Sequence, residues 1–279
     1  MQTPSAAAAQ SRLYDPKVVL ALFKSEGKLE EIAAGKQVFL ENETKSGLFS
    51  KSDRMYLLLE GEIALSVGSA LLGTVHPGEI FGELASISRL PRSATATAKH
   101  NSRLISLDPK QLERALQKMP EAALMFMAVI IERLRAALAR LGDKQRANAA
   151  QRGALLEKKL LAELKDEFDA NKQMRVLQRQ VVMKEGDAGV LMYIVLEGEM
   201  DVTIRSQLVE RVGPGGVFGE MALVDRSPRS ASAGAASDAC LLAINRNDFL
   251  SLIKSRPAFG VSLLRGLAER LASTTAQLK

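Results

Sequence analysis

Phe81-Gly82-Glu83-Leu84-Ala85, followed by Pro91-Arg92-Ser93-Ala94-Thr95, returns later in the same chain. Its second occurrence is Phe218-Gly219-Glu220-Met221-Ala222 followed by Pro228-Arg229-Ser230-Ala231-Ser232, with both blocks displaced by 137 residues. Outward from this stretch the register persists. Residues 55–62 (MYLLLEGE) match 192–199 (MYIVLEGE), Pro120 matches Pro257, and Glu132-Arg133-Leu134 matches Glu269-Arg270-Leu271. Upstream the displacement becomes 143, pairing Gln37-Val38 with Gln180-Val181, so the first copy carries six extra residues near 44–54. A repeat of this length in a 279-residue chain reads as two homologous domains.

Each copy has the same plan. Short β-rich runs such as 192–196 and 200–204 are punctuated by Gly, Pro and Asp turns, which predicts a compact antiparallel β-domain. A helix is expected after each, over 120–141 and 257–278, both opening on proline. Met127, Leu134 and Leu141, with Ile130 and Ala137, form one heptad stripe; Leu264, Leu271 and Leu278, with Leu267 and Thr274, form the other. Residues 142–153 are polar and Ala-rich, and Leu155, Leu156, Leu160, Leu161, Leu164 and Phe168 predict an amphipathic helix beyond them. The expected organisation is a tail over 1–12, domain A over 13–141, a linker over 142–154 and domain B over 155–279. The fold class expected is α+β: two tandem antiparallel β-rolls of jelly-roll or cupin-like form with flanking helices.

Composition narrows the chemistry. One cysteine cannot form an internal disulfide, which suits a reducing cytoplasm, and one Cys with two His (His76, His100) excludes a Cys/His zinc cage. The longest apolar run, residues 122–131, is half of the ~20 residues a membrane-spanning helix needs. The net charge of +6 is local: residues 133–159 hold eight Lys/Arg and two acids, so the rest of the chain is neutral. Such a run is ordinarily a solvated helix face.

In the repeated stretch the glycine permits close backbone approach, and the short helical turn after it presents N–H groups suited to an anion. An arginine nine residues after the glutamate supplies a permanent charge and a planar fork for phosphate oxygens. The carboxylate can accept from a hydroxyl such as a ribose 2′-OH, and Ser93 and Ser230 add hydroxyls beside the arginines. Together they describe a pocket for a small phosphorylated sugar.

The pattern G-E-[LM]-A-x(6)-R-[ST]-A resembles the phosphate-binding cassette of cyclic nucleotide-binding domains, found in catabolite activators, protein kinase A regulatory subunits and cyclic nucleotide-gated channels. The resemblance covers nearly the whole chain. It implies that Glu83 and Glu220 hold the ribose hydroxyl and that Arg92 and Arg229 pair the cyclic phosphate. Phe81, Gly82, Leu84 and Ser93 would complete the first cradle, and Gly219, Met221 and Ser230 the second. In catabolite activators a Thr-Ser pair on the following helix contacts adenine; the same spacing lands here on Thr274-Thr275, whereas the first copy has Ala137-Leu138. The second site is therefore expected to read adenine.

The resemblance implies a non-enzymatic cytoplasmic receptor for cyclic AMP, with cyclic GMP as the alternative ligand, that uses no cofactor and regulates a protein partner. A helix-turn-helix after the second long helix is not expected, which disfavours sequence-specific DNA binding. A nucleotide-switched DNA- or RNA-associated regulator using the basic 133–159 run is the alternative. The heptad stripes leave two arrangements open, a single-chain pseudo-dimer and a homodimer between chains.

Overall fold

The structure is a computed structural model that describes residues 14–43, 53–140, 150–152, 154–168 and 170–276. The six-residue insertion of the first copy, Leu141, Leu278 and most of the expected linker lie outside the described residues.

In the first copy, α1 (Pro16–Glu26) leads into β1 (Lys28–Ile32), β2 (Gln37–Phe39), β3 (Met55–Glu60), β4 (Ile63–Val67), β5 (Ala70–Val75) and β6 (Ile80–Phe81). The short α2 (Glu83–Ser88) precedes β7 (Thr95–Ala98) and β8 (Ser102–Leu107), and α3 (Pro109–Lys118) and α4 (Ala122–Arg140) follow. The second copy runs β9 (Ala150–Arg152), α5 (Lys158–Glu167), β10 (Gln173–Val176), β11 (Val181–Met183), β12 (Leu191–Glu197), β13 (Met200–Ile204), β14 (Gln207–Val212) and β15 (Val217–Phe218). Then come α6 (Glu220–Asp225), β16 (Ser232–Ala235), β17 (Ala239–Asn245), α7 (Arg246–Ser255) and α8 (Pro257–Ala276).

Each copy builds two facing sheets. The first has orders β1-β8-β3-β6 and β2-β7-β4-β5; the second has β10-β17-β12-β15 and β11-β16-β13-β14-β9. Strand chemistry explains the layering. β13 alternates buried Met200, Val202 and Ile204 with half-buried Asp201 and Thr203, so one face meets the core. β3 is buried at four consecutive positions, as a central strand covered on both faces must be. The cores are Phe39, Tyr56, Leu58, Ile63, Val75, Phe81 and Leu104 in the first roll, and Val176, Tyr193, Val195, Met200, Val212, Phe218 and Leu241 in the second.

Three local expectations shift. Helix α4 begins at Ala122 rather than at Pro120, which sits in a turn whose carbonyl accepts from the Ala123 N–H. Leu155 and Leu156 precede α5, and both donate their N–H groups to the Gly215 carbonyl at 3.1 and 3.0 Å. The polar stretch after α4 is not wholly irregular: β9 pairs in parallel with β14, Ala150 opposite Glu210 and Arg152 opposite Val212, the exception to otherwise antiparallel pairing among the described residues.

The chain divides into two compact units: Met1–Arg133 with Leu264–Ser273, and Leu134–Leu263 with Thr274–Lys279. Each unit is a β-roll with helical segments drawn from both copies of the repeat. The heptad positions Met127, Ile130, Leu134, Ala137, Leu264, Leu267, Leu271 and Thr274 are all buried.

Candidate functional site

The two cassettes are built identically. Phe81 and Phe218 end short strands, and the next residue, Gly82 or Gly219, turns into the left-handed region at φ +71° or +79° before α2 or α6 starts. That backbone favours glycine, and space requires it. A Cβ would stand 2.8 Å from Arg92 Nη1 at Gly82, and 2.7 Å from Arg229 Nη1 at Gly219. Each short helix ends on a second left-handed residue, Arg89 or Arg226.

The arginines return beneath their own glycines. Arg92 donates from Nη1 to the Gly82 carbonyl at 2.9 Å and from Nη2 to the Arg54 carbonyl at 2.7 Å. Arg229 donates to the equivalent carbonyls, Gly219 at 2.7 Å and Leu191. Their backbones are held as well: the Arg229 N–H donates to the Asp187 carbonyl at 2.8 Å, and its carbonyl accepts from the Gly186 N–H at 2.9 Å. Both side chains are preorganised and buried, Arg92 at 1% exposure and Arg229 at 6%. Burial depresses the proton affinity of both guanidiniums. It is opposed by Tyr56, Glu43, Asp53 and Glu83 around Arg92, and by Tyr193, Glu220 and Asp187 around Arg229. A desolvated cation held by neutral carbonyls gains from an arriving anion, which is the electrostatic condition for a phosphate site.

The glutamates are buried beside them, Glu83 at 3% exposure and Glu220 at 2%. Glu83 Oε1 accepts from Arg133 Nη1 on α4. Gly82, Glu83 and Arg92 thus meet in the first cassette, and Gly219, Glu220 and Arg229 in the second. Ser230 Oγ lies 3.7 Å from Met221 Sδ. Ser93 is exposed and Leu84 half-buried. Thr274 is buried and Thr275 half-buried on the last turns of α8, and both fall in the second unit.

The surroundings of the two arginines differ. The Phe39 ring lies 3.9 Å from the Arg92 guanidinium carbon and joins a trio with Tyr56 and Phe81. At the repeat displacement of 143 the second copy has Val182 instead, leaving the Tyr193–Phe218 pair at 5.1 Å.

Several residues at the cassettes escape motif reading. Arg133 lies 50 residues from Glu83, and its one sign in the sequence is its recurrence as Arg270 in the second long helix. Tyr14 donates its hydroxyl to the Gly78 carbonyl at 2.7 Å, the repeat equivalent of the Gly215 carbonyl that Leu155 and Leu156 hold. Burial, then Glu79, raise its phenol well above the usual range, with Arg133 opposing. The basic run changes meaning too: Arg133 and Arg135 are both consumed in ion pairs, with Glu83 and Asp225.

Among the described residues no helix is long and apolar enough to cross a membrane, and no cluster of His, Cys, Asp and Glu suits a metal ion.

Comparison with known proteins agrees with this geometry. The cyclic nucleotide-binding domain family matches at residues 30–119 and again at 173–256. The cyclic AMP receptor protein of Thermus thermophilus is 37% identical over 107 residues, 36% of this chain and 49% of that protein. The cAMP-dependent protein kinase regulatory subunit of Yarrowia lipolytica is 27% identical over 211 residues, 73% of this chain and 50% of that protein. This chain therefore spans about half the length of the curated relatives it matches. Among solved structures, the regulatory domain of Toxoplasma gondii PKA with cAMP is 20% identical with a TM-score of 0.32, covering 96% of this chain and 95% of that one. The Thermus thermophilus catabolite activator protein is 32% identical with a TM-score of 0.39, covering 44% of this chain and 59% of that one. With the family model matched over both β-rolls, and each roll carrying the glycine, glutamate and buried arginine, this chain belongs to the cyclic nucleotide-binding domain family and holds two copies of the domain.

Proposed function

We propose that this chain is a cytoplasmic receptor that binds cyclic AMP at both cassettes and passes the signal to a protein partner. The observation that carries this reading is the pair of buried arginines, Arg92 and Arg229, each clamped by two backbone carbonyls beside a buried glutamate. In each site the arginine receives the cyclic phosphate and the glutamate accepts from the ribose 2′-OH. Cassette tightening and helix closure then require tighter binding to the closed state, which base contacts provide. Thr274 and Thr275 are assigned to the adenine of the second site. The names of the Thermus and Yarrowia relatives support cyclic AMP over cyclic GMP. The nucleic-acid alternative is weakened, because Arg133 and Arg135 of the basic run are engaged by carboxylates.

Titration calorimetry with cyclic AMP and cyclic GMP on the wild type, Arg92→Glu and Arg229→Glu tests the reading. Two sites in the wild type and one in each variant are expected. No heat with either nucleotide would refute it.

A further inference from the structure

We propose that Arg135 is a positioning residue for the second nucleotide site, acting through Asp225. The proposal rests on the nucleotide-binding reading of that site. All its contacts lie within the second unit. Asp225 is the last residue of α6, and its Oδ1 accepts from the Ser227 N–H at 3.0 Å. That bond closes the turn through Arg226, at φ +57°, that delivers Pro228 and Arg229. Arg135 grips the same carboxylate with its fork, Nε to Oδ2 at 2.8 Å and Nη2 to Oδ1 at 3.3 Å. Three residues along the same helix face, Leu138 packs against the core of the second roll. The end of α4 is thereby tied to the cassette helix by a charge pair and an apolar contact together.

Comparison with the first cassette isolates what the charge adds. At the displacement of 137, Asp225 corresponds to Ser88, Ser227 to Leu90 and Arg135 to Ala272. Ser88 keeps the turn: its Oγ accepts from the Leu90 N–H at 3.4 Å and donates to the Leu84 carbonyl at 2.6 Å. A neutral side chain therefore suffices for the cap. The carboxylate in the second copy adds a partner for a cation, and Arg135 is that cation. Its side chain is 26% exposed and that of Asp225 19%, so the pair is shielded enough to matter yet not committed to the core.

The test uses the full chain with Arg135→Ala, Asp225→Ser and the double variant. Asp225→Ser restores the side chain of the first cassette, so the turn cap survives. Two readouts are needed: cyclic AMP affinity of the second site in an Arg92→Glu background, and amide hydrogen exchange over residues 226–231 in nucleotide-free protein. Each single variant is expected to weaken binding about five-fold and to speed exchange, and the double variant to be no worse than either. Unchanged affinity in Arg135→Ala, faster exchange with unchanged affinity, or losses that add would each overturn the proposal. A wild type that takes no nucleotide defeats the receptor reading instead, and the exchange arm then decides the tie between Arg135 and Asp225 by itself.

Discussion

Arg133 on α4 donates to the carboxylate of Glu83, the first residue of cassette helix α2 and only 3% exposed. A buried carboxylate has two oxygens, and one held by a guanidinium leaves the other aimed by it. We expect Arg133→Ala to destabilise the protein by about 3 kcal/mol in urea unfolding, since Glu83 would be left buried without its cation. First-site affinity should fall about ten-fold, with Arg133→Lys recovering part of it. Unchanged affinity would mean that the pair is structural only.

Gly219 and Gly82 should be intolerant for two separable reasons. Gly219→Ala meets both a left-handed backbone and the Arg229 Nη1 atom 2.7 Å away, whereas Gly186→Ala, at φ +87°, meets open space. Gly186→Ala is expected to cost only strain, about 1 kcal/mol of stability, and to leave nucleotide binding intact. Gly219→Ala should cost at least as much and lower second-site affinity about ten-fold by displacing the arginine. Thermal melts and titration distinguish the two.

Tyr56 predicts an alkaline weakness. Burial pushes its phenol up to about 12 from 10, and its hydroxyl has no hydrogen-bond partner among the described residues. The folded pKa lies above the unfolded one, so its stabilisation is complete below about pH 10 and is lost as pH rises through about 12, roughly 2–3 kcal/mol in all. Tyr56→Phe should be neutral or stabilising by about 1 kcal/mol at pH 8 and should shallow the alkaline decline in denaturant titrations. An identical alkaline slope in the variant would count against this account.

Replacing Thr274 and Thr275 with alanine should weaken cyclic AMP more than cyclic GMP at the second site and leave the first unaffected. Equal loss of both nucleotides would remove the adenine assignment.

Among the described residues, the heptad positions Met127, Ile130, Leu134 and Ala137 of α4 and Leu264, Leu267, Leu271 and Thr274 of α8 are buried without a second copy of the chain. Sedimentation is expected to give a mass near 30.2 kDa with and without nucleotide. A doubled mass would favour the homodimer.

Much of this protein was legible in its sequence because the information is local. Left-handed glycines, alternating apolar strands and a glutamate–arginine pair nine residues apart are set by neighbouring residues, and the repeat states each of them twice. Residue order therefore sufficed to place Gly82, Glu83 and Arg92, and their counterparts, in two β-rolls. Side-chain partners distant in the chain were not legible, because charge pairing depends on which surfaces the packed elements bring together. Only the tertiary structure decided that Arg133 reaches Glu83 over 50 residues and Arg135 reaches Asp225 over 90. It also decided that Phe39 covers Arg92, while among the described residues no such ring covers Arg229, and that β9 joins a sheet in parallel. The physical reason is the same throughout: backbone geometry is dictated by a few adjacent residues, but desolvation and Coulomb energy are dictated by whatever folding places within a few ångströms.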